Sequence, residues 1–429
     1  MEKIVVQGGQ RLRGRVRISG SKNAAVAVLP AIVIARDKLS ISNLPDITDV
    51  RTMVRILEDL GVAIRRRGRN TLEFRLSSLR GFTPPYNLVK QMRASYYLMG
   101  SLLARFGRAE VPIPGGCDLG PRPIDQHLKG FAALGADIDI EHGLIKMSAR
   151  KLRGAHIYLD VVSVGATINL MLAAVTAEGK TVLENAAKEP EIVDLANFLN
   201  AMGASVKGAG TDVIRIEGVN ELGGAEHMII PDRIEAGTYM LAAAVTGGDV
   251  VVEEVIPKHL EAVTAKMREM GVDVEVEPER IRVRGASKLL TSDLKTFPYP
   301  GFPTDLQPLM MVLLTAAEGT SIITENVFDG RYRHVDELKR MGAQIKVEGR
   351  IAVVEGGQPL SGAPVTATDL RAGAALLVAG LAARGETVLS EADHIYRGYE
   401  QLEHKLIDLG AVIKRLRDHN LKGRSIEPL

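Results

Sequence analysis

The chain has 429 residues, 46% of them hydrophobic, with 54 Lys and Arg against 52 Asp and Glu for a formal net charge of +2. This length suits two or three globular domains, and near-neutral charge without a long basic block argues against a nucleic-acid partner or a polybasic membrane anchor. A single cysteine, Cys117, excludes an intrachain disulfide, and the greasiest runs, "AAVAVLPAIVIA" and "PLMMVLLTAA", are broken by proline or fall short of the roughly 20 residues of a membrane span. The opening "MEKIVVQGG" lacks the apolar core of a secretory signal, so the expectation is a soluble, cytoplasmic protein with no membrane partner.

In chain order, the opening alternation "GRVRISG" reads as a strand and "GSKNAA" as the start of a helix of small apolar residues. Helix endings of the form Leu/Met-Gly-Ala/Val followed by an alternating run then recur at Gly61, Gly135, Gly203, Gly271, Gly342 and Gly410, in steps of 74, 68, 68, 71 and 68 residues. Glycine after a helix takes the left-handed cap without a side-chain clash. A second marker, Leu-x-Gly, keeps the same period at Leu12, Leu79, Leu152, Leu222 and Leu360, and is degenerate at Leu290.

Each unit reads as β-α-β-α-β-β. Its first helix, such as "GATINLMLAAVTAEG", is apolar all round and therefore buried, whereas second helices such as "VDELKRMG" and "VTAKMREMG" carry a charged outer face. Six such units, three per domain, imply an α/β fold with helices inside and strands around them. The division falls near "GGAEHMIIPDR", giving 22–229 as one domain and 1–21 plus 230–416 as the other, with 417–429 a polar tail. The strand "GRVRISG" has no slot in the first half and is expected to cross over to the second.

Polar groups cluster where the first helices begin: Lys22 and Asn23, Arg93, Ser163, Asp232 and Arg233, Asp305, and Asp369 with Arg371. Unpaired N–H groups and the helix dipole make such starts anion traps, although Thr304, Asp305, Thr368 and Asp369 are also ordinary N-cap choices. Arginine or lysine there opposes the dipole, so Lys22, Arg93, Arg122, Arg371 and Arg397, at helix starts or in the preceding loops, point to bound phosphate or carboxylate. Cys117 sits in "PGGCDLGPRP", where six glycines and prolines preclude regular structure, so it either packs in a tight turn or serves a loop that changes shape. The nine histidines form no ligand cluster, and neither metal nor cofactor is expected.

The segments "GSKNAA", "PGGCDLGPRPIDQHL", "DVVSVGAT", "NAAKEPEIVD", "YPGFPTDLQ", "ATDLRAG" and "HIYRGYE" occur in the order found in the UDP-N-acetylglucosamine enolpyruvyl transferase family, which the chain resembles from residue 1 to about 415. The resemblance implies two three-repeat domains in an inside-out α/β barrel. It also implies two small-molecule substrates, phosphoenolpyruvate and UDP-N-acetylglucosamine, bound between the domains. Cys117 matches the loop cysteine that protonates the methylene carbon or forms a covalent adduct, and Asp305 the carboxylate beside the sugar hydroxyl. Lys22, Arg122 and Arg397 match phosphate and carboxylate ligands supported by Arg371 and Arg93.

By the same resemblance Asn23 matches a sugar contact and Pro123, Ile124, Asp125 and Gln126 the uridine stretch, which His127 follows. Ser163, Val164 and Gly165 open a helix suited to diphosphate, and Val327 matches a further contact near the sugar. Some relatives have lysine immediately before "VSVG", where this chain has Val161. Two rival expectations are a sister transferase acting on shikimate 3-phosphate and a non-catalytic ring of repeats clamping nucleic acid.

Overall fold

In the computed structural model the described residues are 2–76, 79–113 and 124–417. They form two compact units, one from Gly20 to Ile230 and one joining the chain up to Ser19 with the chain from Pro231 onward. The expected limits, 22–229, lie two residues inside this division at one end and one at the other. Hydrogen bonds place the boundary: Ser21 N–H donates to Ile230 O at 2.7 Å and Asp232 N–H to Ser19 O at 2.9 Å.

Each unit holds three sheets around three buried helices. We label these helices α1 (Lys22–Val28), α2 (Leu98–Phe106) and α3 (Val164–Ala174) in the first unit. In the second they are α4 (Arg233–Val245), α5 (Gln307–Thr315) and α6 (Leu370–Ala382). Every residue of α5 and all of α3 after Val164 is buried, as their largely apolar sequences lead one to expect. The buried hydrophobic residues form two separate clusters, one per unit.

The repeat ending is a Schellman motif in all six copies. Gly61, Gly135, Gly203, Gly271, Gly342 and Gly410 have φ between 83 and 101°. After each, the next residue donates back into the helix, as from Val62 N–H to Leu57 O and from Ala411 N–H to Leu406 O. A side chain at φ near 90° would be strained, which explains glycine at this point of the period.

Two repeats depart from β-α-β-α-β-β. Among the described residues the second has a three-stranded sheet, Arg108–Pro112, Leu144–Ser148 and Asp137–Glu141, without a regular first strand. In the sixth, the chain's opening strand Glu2–Gln7 pairs between Glu386–Ser390 and Val412–Arg417, the last of the described residues. The first strands of repeats one and four are exchanged. Arg13–Arg17 pairs in parallel with Asp249–Glu253, the crossover that "GRVRISG" led us to expect, and Glu226–Met228 pairs in parallel with Leu39–Ser42.

Candidate active site

In the Gly20–Ile230 unit, Lys22 is the first residue of α1, behind Ser21, whose Oγ accepts from Ala24 N–H at 3.3 Å. The dipole opposes a cation there, and Asp49 offsets this with Oδ2 3.1 Å from Lys22 Nζ. Asn23 Nδ2 donates to Glu191 Oε1 at 3.4 Å. Arg93 opens the short 3-10 segment Arg93–Tyr97 that leads into α2, and its guanidinium lies 5.5 Å from the Tyr96 ring centre.

The helix Asp125–Ala133 begins at the expected nucleotide stretch, with Ile124 at its cap and Asp125 exposed. Gln126 is buried and tied twice to Asp160: its Nε2 donates to Asp160 Oδ2 at 3.0 Å and its Oε1 accepts from Asp160 N–H at 2.8 Å. Lys129 adds an ion pair to Asp160 at 2.7 Å. This clamp fixes the loop leading to Ser163, which caps α3 by accepting from Ala166 N–H at 3.2 Å, with Val164 as the first helical residue. Val161, in that loop, is exposed.

His127 is only 4% exposed, so its ring is an internal strut rather than a surface contact. Asn169 Oδ1 accepts from Gly100 N–H, and its Nδ2 donates to Tyr96 O at 3.0 Å and to His127 Nδ1 at 2.9 Å, which places the histidine proton on Nε2. Gly165 makes room for this packing, since a Cβ there would stand 2.4 Å from the Tyr96 hydroxyl and 3.1 Å from the His127 ring. Burial, with Arg93 nearby, lowers the His127 pKa to about 3.

Between that value and the ordinary 6.5 the unfolded chain binds a proton that the folded chain does not, so His127 costs stability as pH falls through this window. His127→Gln is expected to flatten the slope of unfolding free energy between pH 6.5 and 5 by up to about 1.4 kcal/mol per pH unit. Urea titrations at both pH values check this, and identical slopes for variant and parent count against it.

In the other unit, Asp232 and Asp369 are N-caps, accepting from N–H groups of residues 234 and 235 and of residues 371 and 372 respectively. Thr304 and Asp305 are not caps, which corrects the simpler expectation: α5 has no side-chain cap, and Thr304–Leu306 is a 3-10 turn before it. Asp305 instead accepts Arg331 Nη2 on Oδ1 at 2.6 Å and Arg371 Nη2 on Oδ2 at 2.9 Å. The arginine side chains are 1% and 5% exposed and the carboxylate 27%, so two buried cations present one partly open anion.

Tyr399 supports Arg371, its ring centre 5.4 Å from the guanidinium and its hydroxyl 2.9 Å from Thr238 Oγ1. Arg397 ends the 3-10 turn Ala392–Arg397, at a carbonyl end rather than a helix start. Its neighbour Tyr396 bonds Glu403 and stacks on Arg415 at 4.5 Å. Val327 N–H donates to Glu325 Oε1 at 2.8 Å.

The first unit thus holds Lys22, Asn23, Arg93, Ile124, Asp125, Gln126, His127, Ser163, Val164 and Gly165, and the second Asp305, Val327, Arg371 and Arg397. Cys117, Arg122 and Pro123 lie outside the described residues, as does the tail beyond Arg417. Asp49, Arg331 and Glu325 bond directly to candidate residues and were not singled out in the sequence. Among the described residues no group of three His, Cys, Asp or Glu could hold a metal ion, and no helix is long and apolar enough to cross a membrane.

The family model described as EPSP synthase (3-phosphoshikimate 1-carboxyvinyltransferase) matches residues 6–406. The chain is 59% identical to UDP-N-acetylglucosamine 1-carboxyvinyltransferase 3 of Caldanaerobacter subterraneus subsp. tengcongensis, over 97% of this chain and 100% of that protein. It is 56% identical to UDP-N-acetylglucosamine 1-carboxyvinyltransferase 2 of Geobacillus kaustophilus, over 97% of both. Among solved structures, the enolpyruvyl transferase NikO from Streptomyces tendae superposes with a TM-score of 0.89 at 27% identity, covering 96% of this chain and 98% of that one. EPSP synthase from Acinetobacter baumannii, at 20% identity and a TM-score of 0.74 over 97% and 100%, shares the fold. The chain therefore belongs to the EPSP synthase family and, within it, to the UDP-N-acetylglucosamine 1-carboxyvinyltransferases.

Proposed function

We propose that the chain transfers the enolpyruvyl group of phosphoenolpyruvate to the 3-hydroxyl of UDP-N-acetylglucosamine and releases phosphate, in the cytoplasm, as the committed step of peptidoglycan synthesis. The observation that carries this reading is identity of 59% along 97% of the chain to a protein of that name. In the addition step the sugar oxygen bonds to C2 of the enol ester while its proton passes to the Asp305 carboxylate. The Cys117 thiol gives a proton to C3, forming a tetrahedral phosphate-bearing intermediate. Return of a C3 proton to the Cys117 thiolate then restores the double bond as the C2–O bond to phosphate breaks, and the departing phosphate takes the proton held by Asp305.

Lys22, Arg122 and Arg397 hold the phosphate and carboxylate charges through both steps, with Arg93 and Arg371 in support, because fixed cations stabilise charge without reorganising. Asn23 and Val327 contact the sugar. Ile124, Asp125 and Gln126 with Pro123 receive the uridine, and His127 acts behind them as a strut. Backbone N–H groups at Ser163, Val164 and Gly165 meet the diphosphate, a role that falls to the backbone because Val161 brings no charge.

The rival acceptor is shikimate 3-phosphate, named in the family description. A phosphate-release assay with phosphoenolpyruvate and each acceptor separates the two readings. Release is expected with UDP-N-acetylglucosamine only, and release driven by shikimate 3-phosphate alone overturns the proposal.

A further inference from the structure

Glu325 is fully buried, yet it faces no cation among its hydrogen-bond partners. Its Oε2 accepts from Thr304 Oγ1 at 3.0 Å, and its Oε1 accepts from the N–H groups of Val327 at 2.8 Å and Phe328 at 3.0 Å. Its own N–H donates to Arg350 O at 2.8 Å. Thr304 passes the connection on, for its carbonyl accepts Arg331 Nε at 3.0 Å while the next residue, Asp305, holds Arg331 Nη2. The chain from Phe328 to Arg331 closes the circuit.

A buried carboxylate is costly to desolvate, and a turn alone could satisfy two N–H groups with an amide or a water. What the carboxylate adds is a second oxygen that reaches the Asp305 turn. We infer that Glu325 is a positioning residue, which holds the turn bearing Asp305 and the segment carrying Val327 in one fixed register. The inference rests on the proposed reading, in which both residues meet the nucleotide sugar.

The test uses the full chain with Thr304→Val, Thr304→Ser, Glu325→Gln and Glu325→Leu. Thr304→Val removes the hydroxyl link and is expected to lower kcat about tenfold and the melting temperature by a few degrees, because a fully buried carboxylate oxygen loses its donor, with Thr304→Ser restoring both. Glu325→Gln keeps one oxygen for both N–H groups, and the hydroxyl can turn to accept from its amide, so kcat within about threefold of the parent is expected. Glu325→Leu should lose about a hundredfold and raise KM for the nucleotide sugar more than for phosphoenolpyruvate.

Parental kcat in Thr304→Val, or a loss in Glu325→Leu no greater than its loss of folded protein, overturns the inference. If the parent itself releases no phosphate, the proposed reaction falls and amide exchange decides the positioning role. Residues 303–306 and 326–331 should then both exchange faster in Glu325→Leu, and unchanged exchange at 303–306 overturns the role.

Discussion

Asp305→Ala is expected to lose at least about a thousandfold in turnover, since it removes the proposed base and the anion that orients two guanidinium groups. It should also lower stability, because Arg331 and Arg371, at 1% and 5% exposure, lose the carboxylate they share. Stranding a buried charge costs about 3–5 kcal/mol, and the low end applies here. Arg331 keeps the Thr304 carbonyl and Arg371 keeps the Tyr399 ring. For a unit of this size that is a melting temperature lower by about 6–12 °C. Asp305→Asn separates the two effects: it preserves volume and one acceptor, so most stability should return while turnover stays low. Kinetics with both substrates and thermal unfolding of the two variants check this. Full turnover in Asp305→Ala would remove the carboxylate from the reaction.

How much of this was legible depended on whether a signal is local. The six Schellman glycines announce themselves within a single turn, and their spacing gave the repeat number directly. Asp369 was readable as a cap because a cap bonds two or three residues ahead. Asp305 looked the same in sequence, yet its partners stand 26 and 66 residues away, and they decide its role. The repeat count likewise hid the placement of Glu2–Gln7, because that strand joins a sheet whose other members lie beyond residue 360.

Arg331 and Glu325 escaped for a different reason. The polar groups that stand out in the sequence lie at the starts of first helices, whereas "TENVFDGRYRH" precedes a second helix, and nothing in that stretch marks one carboxylate as buried. His127 illustrates the reverse case. It lies beside a motif matched to uridine binding, but an apolar core around the ring and one amide from Asn169 settle its place inside the unit.

Cys117→Ser is expected to remove about a hundredfold to ten-thousandfold of turnover, the usual contribution of a positioned acid. Protonating the C3 methylene needs a donor that is still protonated near neutrality yet gives up its proton readily, and a thiol of reference pKa about 8.5 meets both demands. A serine hydroxyl would leave an alkoxide far less stable than a thiolate. The thiol's two possible roles have opposite pH signs. As an acid it works in the protonated form, so turnover should fall as pH rises through the thiol pKa. As a nucleophile it works as thiolate, so opening of the epoxide fosfomycin, with an S–C bond formed and the ring oxygen taking a proton, should accelerate over the same range. Peptide mass analysis should find that adduct on the segment holding Cys117, the chain's only cysteine, and none in Cys117→Ser. Parental turnover in Cys117→Ser would exclude the proton-donor role, and turnover that rises with alkylation rate across the pH range would assign the thiol as nucleophile instead.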